Sequence, residues 1–220
     1  MPKIINIKGP VVSDSDKWIY DFLGEPACCP EDIRKCFENL SDNDEVQAVI
    51  NSPGGDIFAA SEIYDLLASS KNASVKVVYA ASAASYIACA CKSEIVPTGM
   101  LMIHNVSSYA NGDYNDMAHS SDVLLTASKA IASAYRLKTG MSEDELISMM
   151  DRETWLTAEQ AVEKGFIDKV SDYQNNSNVR LVASFTGLVP AKVVSELKEK
   201  RAKLKAEIEL LKLKGDVKNE

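Results

Sequence analysis

Glu45-Val46-Gln47-Ala48-Val49-Ile50-Asn51-Ser52-Pro53-Gly54-Gly55-Asp56 is the stretch whose reading decides the fold. Residues 45–51 carry a strand pattern, and Ser52-Pro53-Gly54-Gly55 is a breaker cluster that forces a tight turn after it. Beyond the turn, apolar residues at Ile57, Ala60, Ile63, Leu66 and Leu67 recur at the spacing of a one-faced helix over 57–69. Residues 75–80 return to β. Strand, glycine turn, helix and strand in that order imply a right-handed crossover and parallel pairing, so an α/β fold is expected.

The same alternation extends in both directions. Residues 3–8 read as a strand, 85–91 as a second helix rich in small residues, and short strands follow around Ile95 and over 100–104. A polar loop at 107–115 leads to a long helix over 116–138 that stops at Thr139-Gly140. Ser142 with Glu145, and Thr157 with Gln160, form two capping boxes; each opens a short helix, the second before Gly165 and a strand over 166–170. The expected organisation is one domain over 1–189 and a tail over 190–220. The tail holds nine basic and six acidic residues and no aromatics. Its apolar residues Val194, Leu197, Leu204, Ile208 and Leu211 follow three-four spacing that Arg201 interrupts, so it reads either as a solvated helix or as an oligomerising or partner-binding coiled coil.

Composition narrows the function classes. The chain has 220 residues, 46% hydrophobic and 25% charged, enough for one well-buried domain with an appendage. Thirty-two acidic against 24 basic residues give a net charge of −8, which argues against a nucleic-acid surface. The first residues lack a basic head followed by a long apolar core, so neither export nor a membrane anchor is expected. The cysteines, Cys28, Cys29, Cys36, Cys89 and Cys91, include no Cys-x-x-Cys pair. With two histidines in the chain, they read as buried thiols suited to a reducing cytoplasm rather than as metal ligands. No cofactor is expected.

Three segments carry reactive chemistry. The glycine pair after the central strand lets the backbone turn sharply and lets the Gly55 N–H face a substrate without a Cβ in the way. Ser85 follows Ala83-Ala84 at the expected start of a helix, where unsatisfied N–H groups and the positive end of the dipole favour a developing negative charge; the Tyr86 N–H would join Gly55 there. An N-cap is the plainer reading of that serine. His104 ends an apolar strand, whereas His119 lies on the polar side of the long helix and reads as solvated. A serine hydroxyl beside an imidazole, with N–H groups aimed at an oxyanion, is the equipment of acyl transfer.

Taken together, Ile50-Asn51-Ser52-Pro53-Gly54-Gly55-Asp56, Ile63-Tyr64-Asp65, Ala83-Ala84-Ser85, Met102-Ile103-His104, Thr139-Gly140-Met141-Ser142, Trp155-Leu156-Thr157-Ala158 and Ala161 to Gly165 resemble the ClpP family of serine peptidases. The likeness runs over residues 3–172 and leans toward the phage and prophage branch of head maturation proteases. It implies a ClpP/crotonase-like spiral of repeated β-β-α units with a protruding handle helix, here 116–138. Ser85 would be nucleophile, His104 general base, and Gly55 and Tyr86 the oxyanion donors. The family's acid precedes an aromatic-Leu-Ser/Thr-Ala segment, which matches Glu153, with Asp151 as the alternative. Two features depart from the housekeeping enzymes: a shorter interval between Ser85 and His104, and Tyr86 in place of a small residue.

The resemblance further implies a polypeptide substrate and a homo-oligomer of stacked rings, with Val123, Leu124, Leu125, Ala130 and Ile131 as interface positions. A separate ATPase unfoldase or phage capsid and portal proteins would be its partners. The chain has no phosphate-binding Gly-x-x-x-x-Gly-Lys-Ser/Thr loop of its own. Two rival readings stand beside this one: a ring-forming assembly or scaffold protein without catalysis, and a crotonase-like acyl-CoA enzyme.

Overall fold

Parallel strand pairing aligns the carboxyl ends of three neighbouring strands, and that alignment organises the molecule. The computed structural model describes residues 2–38, 41, 44–172, 199–203 and 206–207. The chain divides into two compact units, Met1–Asp172 and Tyr173–Glu220. Residues 199–203 and 206–207 of the second unit are helical; the expected boundary at 189/190 and most of the expected tail lie outside the described residues.

In the first unit β1 (Lys3–Lys8), β2 (Val46–Ser52), β3 (Ala73–Ala81) and β4 (Lys92–Ile103) pair in sequence order and in parallel. β5 (Thr154–Thr157) adds to β4 antiparallel, and the two-residue β6 (Lys169–Val170) pairs with the start of β4. The architecture is the expected α/β one, a mixed sheet whose parallel strands are joined by helical crossovers. Alternate residues of the parallel strands, among them Ile5, Ile7, Val46, Ala48, Ile50, Val75 and Val77, are buried against helices. Burial of such side chains contributes about 1.5–3 kcal/mol each.

The helices α3 (Ile57–Ala68) and α4 (Ala83–Ile87) make the β2–β3 and β3–β4 crossovers. Asp56 caps α3 by accepting from Phe58 and Ala59 N–H, both at 2.8 Å. Its apolar stripe buries Ala60, Ile63 and Leu67. The long α5 (Tyr114–Thr139) begins at an Asp113 cap and ends at the left-handed Gly140. α6 (Glu143–Asp151) and α7 (Ala158–Glu163) open on the two expected capping boxes.

Four features differ from expectation, the first being that the strand expected over 166–170 is only the two residues of β6, since 166–168 are a bend. Helices α1 (Lys17–Leu23) and α2 (Pro30–Phe37) were not legible: each is about two turns long, and α1 buries none of its residues. The two short strands at 95 and 100–104 are one strand, β4. Its register jumps from Val77↔Ile95 to Tyr79↔Met100, so the segment 96–99 bulges around Pro97, which has no N–H to give the ladder. α4 starts at Ala83, two residues before its expected start, and this shift changes the site.

No helix among the described residues is long and apolar enough to cross a membrane. Burial pushes the thiols of Cys28, Cys29 and Cys89 up to about 12, which suits an apolar packing role.

The β2–α3 turn packs against the first loop, where Val11 N–H donates to Gly54 O and Asp56 N–H to Val11 O. Gly55 has φ +147°, and a Cβ there would collide with the Val11 carbonyl. Gly55→Ala is therefore expected to destabilise the fold by about 2–4 kcal/mol, read from urea unfolding followed by circular dichroism.

Candidate functional site

At the carboxyl ends of parallel strands, chain segments leaving the sheet converge, and here three do so side by side. Register Ser52↔Ala80 and Ala81↔Met102 bring the glycine turn, Ser82 and His104 into one place. A cavity of about 60 Å³ opens there, lined by Gly55, Ser82, Ala83, Tyr86, His104 and Tyr135 among others.

Ser82 occupies the single residue between β3 and α4, with φ 54° and ψ −127°. A non-glycine residue in that region carries strain of about 1–3 kcal/mol. Such a strand-to-helix elbow thrusts a side chain out of the sheet end into the open. The Ser82 N–H donates to Met102 O at 3.0 Å, tying the elbow to the strand that carries His104. Its Oγ lies 2.7 Å from His104 Nε2. Ser82, not Ser85, is the serine beside the imidazole.

Ser85 stands one turn further on, inside α4, and is fully buried. Its hydroxyl lies 2.6 Å from Ser82 O and 2.6 Å from the Tyr135 hydroxyl, so it faces the core instead of the cavity. The mismatch follows from the helix start: because α4 begins at Ala83, the residue at the exposed end is Ser82. A sequence signal for it existed, a serine immediately after an apolar strand and followed by two alanines small enough for a sharp turn.

The glycine turn approaches Ser82 closely. A Cβ on Gly54 would lie 2.6 Å from Ala81 O, 2.7 Å from Ala83 N and 2.8 Å from Ser82 Cβ, so only glycine allows this contact. The Gly54 N–H is satisfied by buried Ser52 Oγ at 3.1 Å, whereas the Gly55 N–H has no acceptor among the described residues. The Ala83 N–H is the first of α4 and belongs to the group a helix leaves without an internal acceptor. Tyr86 is buried within α4; its phenol donates to Ile57 O at 2.6 Å and walls the cavity. Burial pushes that phenol up to about 12, keeping it a donor.

Of the two expected acids, Asp151 accepts from Asn105 Nδ2 at 2.7 Å and Glu153 accepts from Trp155 Nε1 at 3.1 Å. Neither is hydrogen-bonded to His104 among the described residues. The β4–β5 ladder ends at Ile103↔Thr154, so one further step sets Glu153 opposite His104. Glu153 has φ 49°, a left-handed turn conformation that ends the ladder at this position.

α5 reaches this site twice on one face. Ser128, buried, accepts from Val106 N–H at 3.1 Å in the segment after His104, and Tyr135 meets Ser85 two turns later. A larger apolar groove of about 340 Å³ runs between α3 and α5, lined by Phe58, Tyr64 and Leu137 together with Ile57, Tyr86 and Ile131, which it shares with the Ser82 cavity. Of the expected interface residues, Val123 and Leu125 are about half exposed on α5. His119 is also exposed.

A serine elbow with an imidazole at its hydroxyl and a glycine pressed against it invites comparison with known proteins. The family model described as Clp protease matches residues 35–174. The chain belongs to the Clp protease family. It is 33% identical over 131 residues to the ATP-dependent Clp protease proteolytic subunit 2 of Thermobifida fusca, covering 57% of this chain and 64% of that one. The corresponding protein of Nocardia farcinica is 30% identical over 139 residues, covering 61% and 68%, and a proteolytic subunit of Bacteroides fragilis 30% over 138 residues, covering 60% and 67%. The matched segment thus spans about two thirds of these curated relatives.

Tyr86→Phe would remove one of the donors on the half-buried Ile57 carbonyl, which keeps the Ser61 hydroxyl at 2.8 Å. It is expected to cost about 0.5–1.5 kcal/mol in urea unfolding, while the isosteric ring keeps the cavity wall in place.

Proposed function

We propose that the chain is a serine endopeptidase acting by acyl transfer, with Ser82 as nucleophile and His104 as general base. The observation that carries this reading is the strained Ser82 elbow holding Oγ 2.7 Å from His104 Nε2. In that role Nε2 accepts the serine proton as Oγ attacks a peptide carbonyl, and the ring hydrogen sits on Nδ1. The tetrahedral oxyanion is received by the N–H groups of Gly55 and Ala83. His104 then returns the proton to the leaving amine, and a water hydrolyses the acyl-enzyme by the same path. This reading moves the nucleophile from Ser85 to Ser82 and the second oxyanion donor from Tyr86 to Ala83, because each passes to the residue at the elbow.

We assign the imidazole-orienting carboxylate to Glu153. Support comes from the β4–β5 register, which extended one step beyond its last pair sets Glu153 opposite His104, and from the exposure of Glu153, which leaves its side chain free to exchange Trp155 for the imidazole. Asp151 is the alternative, reaching the same segment through Asn105. The shared groove of about 340 Å³ favours substrates with an apolar side chain beside the scissile bond. An extended polypeptide would add its main chain to the strand ends at the turn, a mode that tolerates varied sequences.

Assembly into rings and cooperation with a separate ATPase unfoldase are proposals of the same standing. They rest on family membership and on the relatives' description as ATP-dependent proteolytic subunits. Five free thiols fit a cytoplasmic site of action. The finer assignment, to a phage or prophage enzyme acting in prohead maturation on capsid or portal proteins, rests on the resemblance of the motifs alone.

Treatment with a fluorophosphonate is expected to place one adduct on Ser82, found by peptide mass mapping and absent from Ser82→Ala. His104→Ala should lower peptide turnover by about 10⁴-fold or more. An adduct on Ser85 would reverse the assignment, and no adduct on folded, assembled protein would remove the enzyme reading. Glu153→Gln is expected to lower kcat by about 10²- to 10⁴-fold, and Asp151→Asn to have a smaller effect; the opposite ranking would give the role to Asp151.

A further inference from the structure

Beneath the Ser82 elbow lies a pair of buried hydroxyls that the acyl-transfer scheme does not use. Ser82 O can only accept, so at 2.6 Å the Ser85 hydroxyl donates to it, adding to the Ser85 N–H bond at 2.9 Å on the same carbonyl. That uses the one proton of Ser85. The Tyr135 hydroxyl, 2.6 Å away, must therefore donate to Ser85 Oγ. Tyr135 is buried, its ring packed edge-on against Phe166 at 5.5 Å, and burial raises its phenol far above the ordinary range. The donor direction is thus fixed from α5, through Ser85, to the peptide of Ser82.

We propose that Ser85 and Tyr135 are positioning residues: the chain Tyr135 OH to Ser85 Oγ to Ser82 O holds the elbow in the strained conformation that aims Ser82 Oγ at His104 Nε2. The proposal rests on Ser82 being the nucleophile. A strained φ persists only where its surroundings over-determine it, and the carbonyl of Ser82 is gripped by two donors while its N–H is gripped by Met102 O. Without the second donor the peptide regains freedom to relax, and the Oγ swings away from the imidazole. The same helix face holds the other partner, since Ser128, seven residues before Tyr135, accepts from Val106 N–H just beyond His104. α5 therefore fixes nucleophile and base from one rigid element, as precise placement requires.

The test measures the rate and the end point of fluorophosphonate labelling on the full chain for wild type, Tyr135→Phe, Ser85→Ala and the double variant. The adduct is mapped in each case. Each single variant is expected to slow labelling of Ser82 about ten- to a hundredfold while the end-point stoichiometry, which counts folded protein, stays at the wild-type level. Peptide turnover should show the loss in kcat with KM little changed. The double variant should fall no lower than the slower single one, because both break one chain of bonds. Wild-type labelling rates at Ser82 in both variants would overturn the proposal and leave the nucleophile standing. A lowered end point with an unchanged rate would also overturn it, reducing the pair to fold stability. If Ser85→Ala does not fold, Tyr135→Phe decides alone, since it keeps the ring against Phe166. Failure of the wild type to label at Ser82 would sink the nucleophile assignment and the proposal with it.

Discussion

The hydrogen bond from Ser82 N–H to Met102 O joins the last peptide of β3 to the strand that leads directly into His104, and the site depends on it. Parallel pairing sets Ala81 against Met102, so the residues one and two steps beyond fall together at the sheet's carboxyl end. A one-residue slip of β4 would carry His104 to the other face, since strand side chains alternate with period two. Buried Ile95, Leu101 and Ile103 resist such a slip, because each would leave the packing that encloses it completely on its own face. The reactive pair is in this sense held by the hydrophobic register of the sheet.

Close backbone approach is the second constraint. β2 ends in Ser52 and turns through Gly54 and Gly55, which lie against the Ser82 elbow and the Val11 carbonyl where no Cβ fits. Small residues do the same on the other side: Ala83 and Ala84 are buried directly after the elbow, and Ala80 and Ala81 directly before it. An elbow strained by about 1–3 kcal/mol is affordable only where such packing is already tight. The glycine turn and the alanine-flanked serine are therefore one structural device read from two strands.

Much of this was legible in the sequence, and the failures have physical causes. The β2–α3–β3 unit declared itself through Pro53-Gly54-Gly55 and the three-four spacing after it, because breaker residues and a buried stripe are local signals. His104 was found as the polar end of an apolar strand. Ser82 was not, because two serines flank Ala83-Ala84 and only the helix boundary tells them apart. Propensity locates a boundary poorly where every neighbour is small. The bulge at 96–99 hid the continuity of β4, and α1 and α2 are too short, and α1 too exposed, to leave a periodic trace.

The same logic explains why the carboxylate is the loosest member of the constellation. Ser82 and His104 issue from neighbouring parallel strands inside the core, and their backbones are fixed by ladder bonds and by α5. Glu153 issues from the tight turn between α6 and β5, beyond the last ladder pair, in a left-handed conformation and exposed to solvent. An exposed side chain with three rotatable bonds finds partners by competition, and here the Trp155 indole holds it. The fold therefore fixes Ser82 and His104 by strand register and leaves the Glu153 side chain to be set by its surroundings at the β5 edge. A surface that covers Trp155, which is close to half exposed, would take the indole out of that competition and free the Glu153 carboxylate for another donor.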